Sequence, residues 1–313
     1  MTEDPALVES PTVVVDGVSK WFGQKVAVSG ITCSFGAGVT GLLGPNGAGK
    51  TTMLRMLTGL IGPSEGTVEV LGVRPRTDPS VYAEIGLVPE ENALYPDLSA
   101  RRYVRYAAVL GGVSDPDSAA DRALETVRLS DVAHRRLAAY SKGMRQRAKV
   151  AAALVGDPRI LVLDEPLNGT DPVQRSHLID IFRRMGDDGR TVIVSSHVLE
   201  EVERMSDRVL AIVDGKLAAA GTVPAIRKAM ADIPYRVRVE ADRPRELAAA
   251  LVSDALVHGV SIDDQVLHVE TEDLAGLGRR LAAVARQVDA RIVSFRPEDA
   301  SLVSVFRYLV HRR

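Results

Sequence analysis

The residues from Gly44 to Thr51 read G-P-N-G-A-G-K-T, two glycines flanking four residues and followed by a lysine and a threonine. This spacing suits a loop that wraps phosphate groups. Glycines let the backbone turn tightly and aim successive amide N–H groups at phosphate oxygens. Gly44, Pro45, Asn46, Gly47, Ala48 and Gly49 therefore form a candidate cradle, and Lys50, Thr51 and Thr52 open the helix after it. The positive end of that helix faces the same anion. Lys50 can reach β- and γ-phosphates, and the Thr51 hydroxyl can ligate Mg²⁺.

A second set of chemical groups lies more than a hundred residues on. Ile160–Pro166 reads I-L-V-L-D-E-P, an apolar run ending in two acids. Asp164, at the strand end, can hold Mg²⁺ through its water shell. Glu165 follows it and, by strand alternation, is expected on the opposite side, where it can orient or polarise a water.

These groups need a scaffold. Thr12–Val18, Ile31–Phe35, Val39–Leu43, Thr67–Leu71 and Ile85–Val88 read as short strands, and Thr51–Leu60 has helical spacing. Leu98–Gly156 reads as helical, with breaks at 114–116 and 129–137. Ile160–Leu163 is apolar throughout, as expected of a strand covered on both faces. Val173–Met185 and Val198–Met205 read as helices, and Thr191–Ser195 and Val209–Val213 as strands. The alternation implies a parallel α/β core with an inserted helical subdomain at about 97–157. Beyond a change of register at 221–234, the order strand (Tyr235–Ala241), helix (Arg245–Ser253), strand (Ala255–Ile262), strand (Val266–Thr271), helix (Leu274–Gln287), strand (Arg291–Phe295) predicts a small α+β, ferredoxin-like domain. A last helix is expected at Ser301–Val310.

In that setting the chain resembles an ATP-binding-cassette (ABC) ATPase subunit over about Thr12–Gly221. The fold implied is the P-loop NTPase core of ABC type, spanning 12–222, with a C-terminal domain at 234–313. Val18–Gly23 resembles the segment whose aromatic stacks on adenine, with Phe22 in that place and Trp21 as a second candidate. Y-S-K-G-M-R-Q-R at Tyr140–Arg147 resembles the signature motif. Ser141 and Gly143 match, while Lys142 and Met144 stand where Gly and Gln are usual. A serine hydroxyl and a backbone N–H at a helix start can grip a γ-phosphate. Asn168–Asp171 resembles the loop that makes cross-subunit contacts; Thr170 replaces the common Leu, and Asp171 also suits a helix N-cap before Pro172. Ser195-Ser196-His197 resembles the switch-histidine loop, where His197 would contact the γ-phosphate.

One departure is sharper. Ile85–Glu90 reads I-G-L-V-P-E, with Glu90 where the family usually has Gln. Glu90 can ligate Mg²⁺ as a hard oxygen donor, or swing out and serve coupling to a membrane partner. A retained hinge role is favoured.

The resemblance implies ATP and Mg²⁺ as cofactors, with Glu165, His197 and Lys50 catalytic and Thr51, Asp164 and Glu90 at the metal. It also implies a second ATPase subunit packed head to tail, most simply a homodimer, and a separate integral membrane permease docked near Glu90–Ser99. The variant signature motif and the ending at Glu298–Leu309 resemble exporter subunits. The alternative is a soluble ABC ATPase acting on ribosomes or nucleic acid.

Composition agrees with the first reading. The 313 residues carry 39 basic and 41 acidic side chains, a net charge of −2, which argues against a nucleic-acid partner. There is no run of about 18 apolar residues, so no spanning helix is expected, and the subunit is placed peripherally on the cytoplasmic face of the membrane. Residues 1–11 are acidic, unlike a signal peptide, and are expected to be a mobile tail. One cysteine, Cys33, fits a reducing compartment and a small core residue. The C-terminal domain shows no catalytic set. His258 and His268 read as structural, and regulation, dimerisation, ligand binding or a purely architectural role stay open for it.

Overall fold

The computed structural model describes residues 4–91, 94–206, 208–222, 235–264 and 266–298. The chain divides into two compact units, residues 1–223 and 224–313. The expected helix at Ser301–Val310, the exporter-like ending beyond 298 and the register change after 222 lie outside the described residues.

In the first unit, β1 (Val13–Phe22), β2 (Lys25–Phe35) and β4 (Glu65–Val70) form an antiparallel sheet in the order β2-β1-β4. The remaining strands are β3 (Gly38–Leu43), β5 (Ile85–Val88), β6 (Ile160–Asp164), β7 (Thr191–Ser196), β8 (Arg208–Val213) and β9 (Lys216–Thr222). They form a six-stranded sheet, order β5-β6-β7-β3-β8-β9, parallel except for the β8–β9 hairpin.

The apolar run of β6 has its physical reason here. Ile160 and Val162 face a core shared with the antiparallel sheet and α1 (Lys50–Leu57). Leu161 and Leu163 face a second core with α2 (Ala100–Leu110), α3 (Pro116–Thr126), α4 (Lys142–Leu154) and α5 (Pro172–Asp187). With both faces covered, no position of the strand can be polar until the sheet edge at Asp164. Helices α2 to α4 make the inserted subdomain, and short 3-10 turns at Ser130–Val132 and Leu137–Ala139 replace continuous helix between them. The helix expected at 198–205 is a five-residue α6 (Leu199–Glu203) closed by a turn at Met205.

The expected mobile tail is corrected from residue 4 onward. The Ala6 carbonyl accepts from the Ser34 N–H at 3.0 Å, Val8 N–H donates to Ser34 Oγ at 2.8 Å, and Arg208 bonds the carbonyls of Ser34 and Pro5. β2 is an edge strand, and this segment covers backbone groups that the edge would leave open.

The second unit reads β10 (Tyr235–Ala241), α7 (Pro244–Leu251), β11 (Gly259–Asp263), β12 (Val266–Thr271), α8 (Leu274–Gln287) and β13 (Ile292–Glu298). Its antiparallel sheet has the order β11-β12-β10-β13, which is ferredoxin-like. Leu247, Leu251, Leu277, Leu281 and Val284 of the helices bury one face, formed by Val237, Val239, Leu267 and Val269. β11 starts later than the sequence suggests, because Asp254 turns the chain: its carboxylate accepts from Leu256 N–H and its carbonyl from Val257 N–H.

Cys33 sits on β2 in the first core, and burial pushes its thiol up to about 12. Thiolate is therefore scarce below that pH. Thiol-specific reagents at pH 8 should label Cys33 only after unfolding, at a rate that rises with denaturant. Rapid labelling of the native protein would contradict this burial.

Candidate active site

The loop after β3 turns back under β8. A Cβ on Gly44 would lie 2.2 Å from the Ile212 carbonyl oxygen. Gly49, at φ +107°, would place a Cβ 2.5 Å from the Ala27 carbonyl oxygen. Both positions therefore require glycine. Gly49 precedes α1 without any side-chain cap, so the first amide N–H groups of the helix stay available to an anion.

Lys50 is only 6% exposed. Its ammonium donates to the carbonyls of Gly44 (2.8 Å) and Pro45 (3.2 Å) and lies 3.6 Å from Glu165 Oε1. The Glu165 carboxylate in turn accepts from His197 Nδ1–H, 3.0 Å from both oxygens. With Nδ1–H given to Glu165, a neutral ring presents Nε2 only as an acceptor. To donate to a phosphate, His197 must become an imidazolium or turn away from Glu165.

Strand alternation does not aim Glu165, as the sequence suggested. β6 ends at Asp164, and Glu165 takes a left-handed φ of +48°, a conformation costing a non-glycine residue about 1–2 kcal/mol. Ser195 holds it there. Ser195 Oγ accepts from the Glu165 N–H at 2.9 Å and donates to Asp164 Oδ1 at 2.6 Å. Asp164 and Ser195 are direct partners across the β6–β7 pair. Motif reading takes Ser195 only as the start of the His197 loop and gives it no role, yet it contacts both acidic residues. Register between strands distant in sequence is what brings it to them.

A cleft of about 450 Å³ gathers Phe22, Asn46, Gly47, Gly49, Lys50, Thr51, Thr52, Glu90 and Glu165, with Lys25 and Ala27. Phe22 is 52% exposed at the tip of the β1–β2 hairpin, so its ring is accessible to a base; the Lys20 ammonium lies 5.2 Å from the ring centre, over one face. A smaller groove alongside is bordered by Thr51, Glu90 and Asp164. A larger cleft of about 590 Å³ between α3, α4 and α5 holds none of these groups.

Three comparisons bear on this geometry. The ABC transporter family model matches residues 29–168. The daunorubicin resistance ATP-binding protein DrrA3 of Streptomyces coeruleorubidus is 33% identical over 288 residues, 84% of this chain and 91% of its own length.

The chain belongs to the ATP-binding subunits of ABC transporters.

As a member of that family it is an ATPase. The linearmycin resistance ATP-binding protein LnrL of Bacillus subtilis is 37% identical over 211 residues, 66% of this chain and 68% of LnrL. A solved ATP-binding subunit of an ABC transporter superposes with a TM-score of 0.64 at 27% identity, covering 69% of this chain and 92% of that one. A dimeric post-hydrolysis cassette bound to ADP and Pi, at 22% identity and a TM-score of 0.64, shares the fold.

Within one cassette, Ser141, Gly143 and Asp171 do not line the cleft. Ser141 caps α4, accepting from Met144 N–H at 3.2 Å, and Asp171 caps α5, accepting from Gln174 N–H at 2.9 Å. A Cβ on Gly143 would lie 2.7 Å from Gln174 Oε1 and 3.1 Å from the Gly169 carbonyl, so the signature motif packs directly on the 168–171 loop. Gly44, Pro45 and Ala48 act from behind the cradle: two carbonyls anchor Lys50, and Ala48 is buried.

Ser195→Ala leaves the buried Glu165 N–H unpaired, at a cost of about 1–3 kcal/mol, and frees both acids to shift. Urea unfolding should show that loss of stability, and steady-state ATPase assays a kcat about tenfold or more below wild type with nucleotide affinity little changed. An unchanged kcat would show that Ser195 does not position these carboxylates.

Proposed function

We propose that this cassette hydrolyses ATP with Mg²⁺ to power export of a substrate through a separate integral membrane permease. It works as a head-to-tail pair at the cytoplasmic face. The observation that carries the reading is the split of the site. The cleft of one protomer holds the base-stacking ring, the phosphate cradle and the carboxylates, yet Ser141 and Gly143 lie outside it on α4. A two-fold related copy supplies them. The N-capping Ser141 hydroxyl still has its own proton to donate, and the first turn of α4 carries no acidic side chain to repel a phosphate.

The residues fit the chemistry. Thr51, Asp164 and Glu90 offer hard oxygen donors, and among the described residues no cluster of three or more His, Cys, Asp or Glu forms a protein-only metal site. Mg²⁺ bound by side-chain oxygens from this set, water and substrate phosphates would fit here, and it would neutralise phosphate charge. Lys50 exchanges its carbonyl partners for β- and γ-phosphate oxygens. Glu165, freed from Lys50, orients the attacking water and takes its proton. His197 swings from Glu165 toward the γ-phosphate. Because the γ-phosphate contacts both protomers, ATP favours the closed pair and ADP the open one.

Export is supported by relatives named for drug resistance and by the Nod factor export ATP-binding protein I of Rhizobium leguminosarum, 32% identical over 278 residues. No described helix is long and apolar enough to cross a membrane, and this reading assigns the path for cargo to a separate permease. Tyr95, within the proposed docking region Glu90–Ser99, is exposed and meets the exposed Tyr106 edge to face at 6.4 Å; residues 92–93 of that region are outside the described residues. These relatives do not favour the ribosome or nucleic-acid alternative.

Glu165→Gln removes the proton acceptor while keeping the shape. Turnover should fall about 10²-fold or more, and ATP should now hold a dimer that light scattering detects. A variant that stays monomeric with ATP, or a wild-type turnover per molecule that does not change on dilution, would overturn the paired site. Co-purification with a multi-spanning membrane protein tests the permease.

A further inference from the structure

Lys149 lies in the middle of α4 and is 2% exposed. Lysine is seldom buried to that degree without a partner. Its ammonium donates to three consecutive backbone carbonyls, those of Pro89 at 2.7 Å, Glu91 at 3.2 Å and Glu90 at 3.4 Å. An ammonium has three N–H donors, so one short loop takes all of them. Burial pushes the group down to about 8 while the charges of Asp164 and Glu90 hold it up. The same loop is tied on its outer side by the Arg55–Glu91 ion pair to α1, the helix of the phosphate cradle. Glu90 borders both the nucleotide cleft and the groove shared with Thr51 and Asp164.

We propose that Lys149 is a positioning residue of the ATPase: its ammonium clamps the 89–91 loop, and with it Glu90, to the helix that starts at Ser141. Glu90 adds a carboxylate to a site that already holds Asp164 and Glu165. A buried cation behind the loop offsets part of that repulsion and keeps Glu90 from swinging away. The clamp also makes the Glu90 loop and α4 move as one body, so a shift at the metal groove is felt at Ser141. That second consequence rests on the paired site proposed above; the clamp itself lies within one protomer.

Lys149→Met keeps the stem and removes the donors. In the full chain, kcat should fall about tenfold or more and half-saturating Mg²⁺ at fixed ATP should shift several-fold, while nucleotide affinity stays within about threefold. A purely structural lysine would lower the melting temperature without moving the Mg²⁺ dependence. Because both residues act through one loop, Lys149→Met/Glu90→Gln should lose no more than the worse single variant. Unchanged kcat and Mg²⁺ dependence in Lys149→Met, or losses that multiply in the double variant, would overturn the proposal. If Lys149→Met does not fold, hydrogen exchange on the wild type decides. Residues 89–91 and the first turns of α4 should gain protection together when Mg²⁺ and ATP are added, and protection of one without the other overturns the clamp. Turnover insensitive to dilution would remove the paired site but leave the Lys149 comparison intact.

Discussion

Two opposite charges, both nearly dry, set the terms of this site. Lys50 and Glu165 are each 6% exposed and lie 3.6 Å apart. A buried charge without a partner is strongly unfavourable, and a buried pair holds only when its remaining donors and acceptors are met. Carbonyls of Gly44 and Pro45 meet those of Lys50, and His197 meets the carboxylate. The polyphosphate of a nucleotide is the natural replacement partner for Lys50. In the proposed mechanism its arrival would also release Glu165, so that substrate entry and the freeing of this carboxylate would be one electrostatic event.

The fold exists, in functional terms, to make that meeting possible. β3, β6 and β7 are neighbouring parallel strands, so their carboxyl ends lie at one edge of the sheet, where such folds place their ligands. The phosphate cradle, Asp164–Glu165 and Ser195–His197 each leave from one of those ends. Two separate cores hold the strands rigid from either face. The helical insert hangs from the same sheet, with α4 reaching back to the loop beyond β5 through Lys149. A rigid floor with a tethered second body is the arrangement needed if nucleotide contacts are to be converted into motion.

Departures from the family's usual residues acquire physical company in three dimensions. Lys142 lays its stem over Gly169, where any side chain would strike it at about 2.5 Å. The bulk that replaces a glycine in the signature motif is thus accommodated by a glycine in the 168–171 loop. Glu90, which adds a charge, stands on a loop backed by a buried ammonium.

Residue spacing alone determined a good deal. G-P-N-G-A-G-K-T declared a phosphate loop, because glycines in that order, followed by lysine and threonine, let backbone N–H groups and an ammonium meet an anion at a helix start. The apolar run before Asp164 declared a strand buried on both faces, and the alternation beyond Tyr235 declared a ferredoxin-like order, because periodicity is local. Tertiary structure alone decided what depends on register and on contacts between distant segments. Ser195 faces Asp164 only because β6 and β7 pair in that register. Glu165 owes its direction to a left-handed backbone rather than to alternation. The segment at Pro5–Val8 is docked because β2 offers an open edge, and Lys149 matters because a helix crosses behind a loop some 60 residues earlier in the chain. No local pattern carries such facts, since the energy that sets them belongs to the pair of segments and to neither alone.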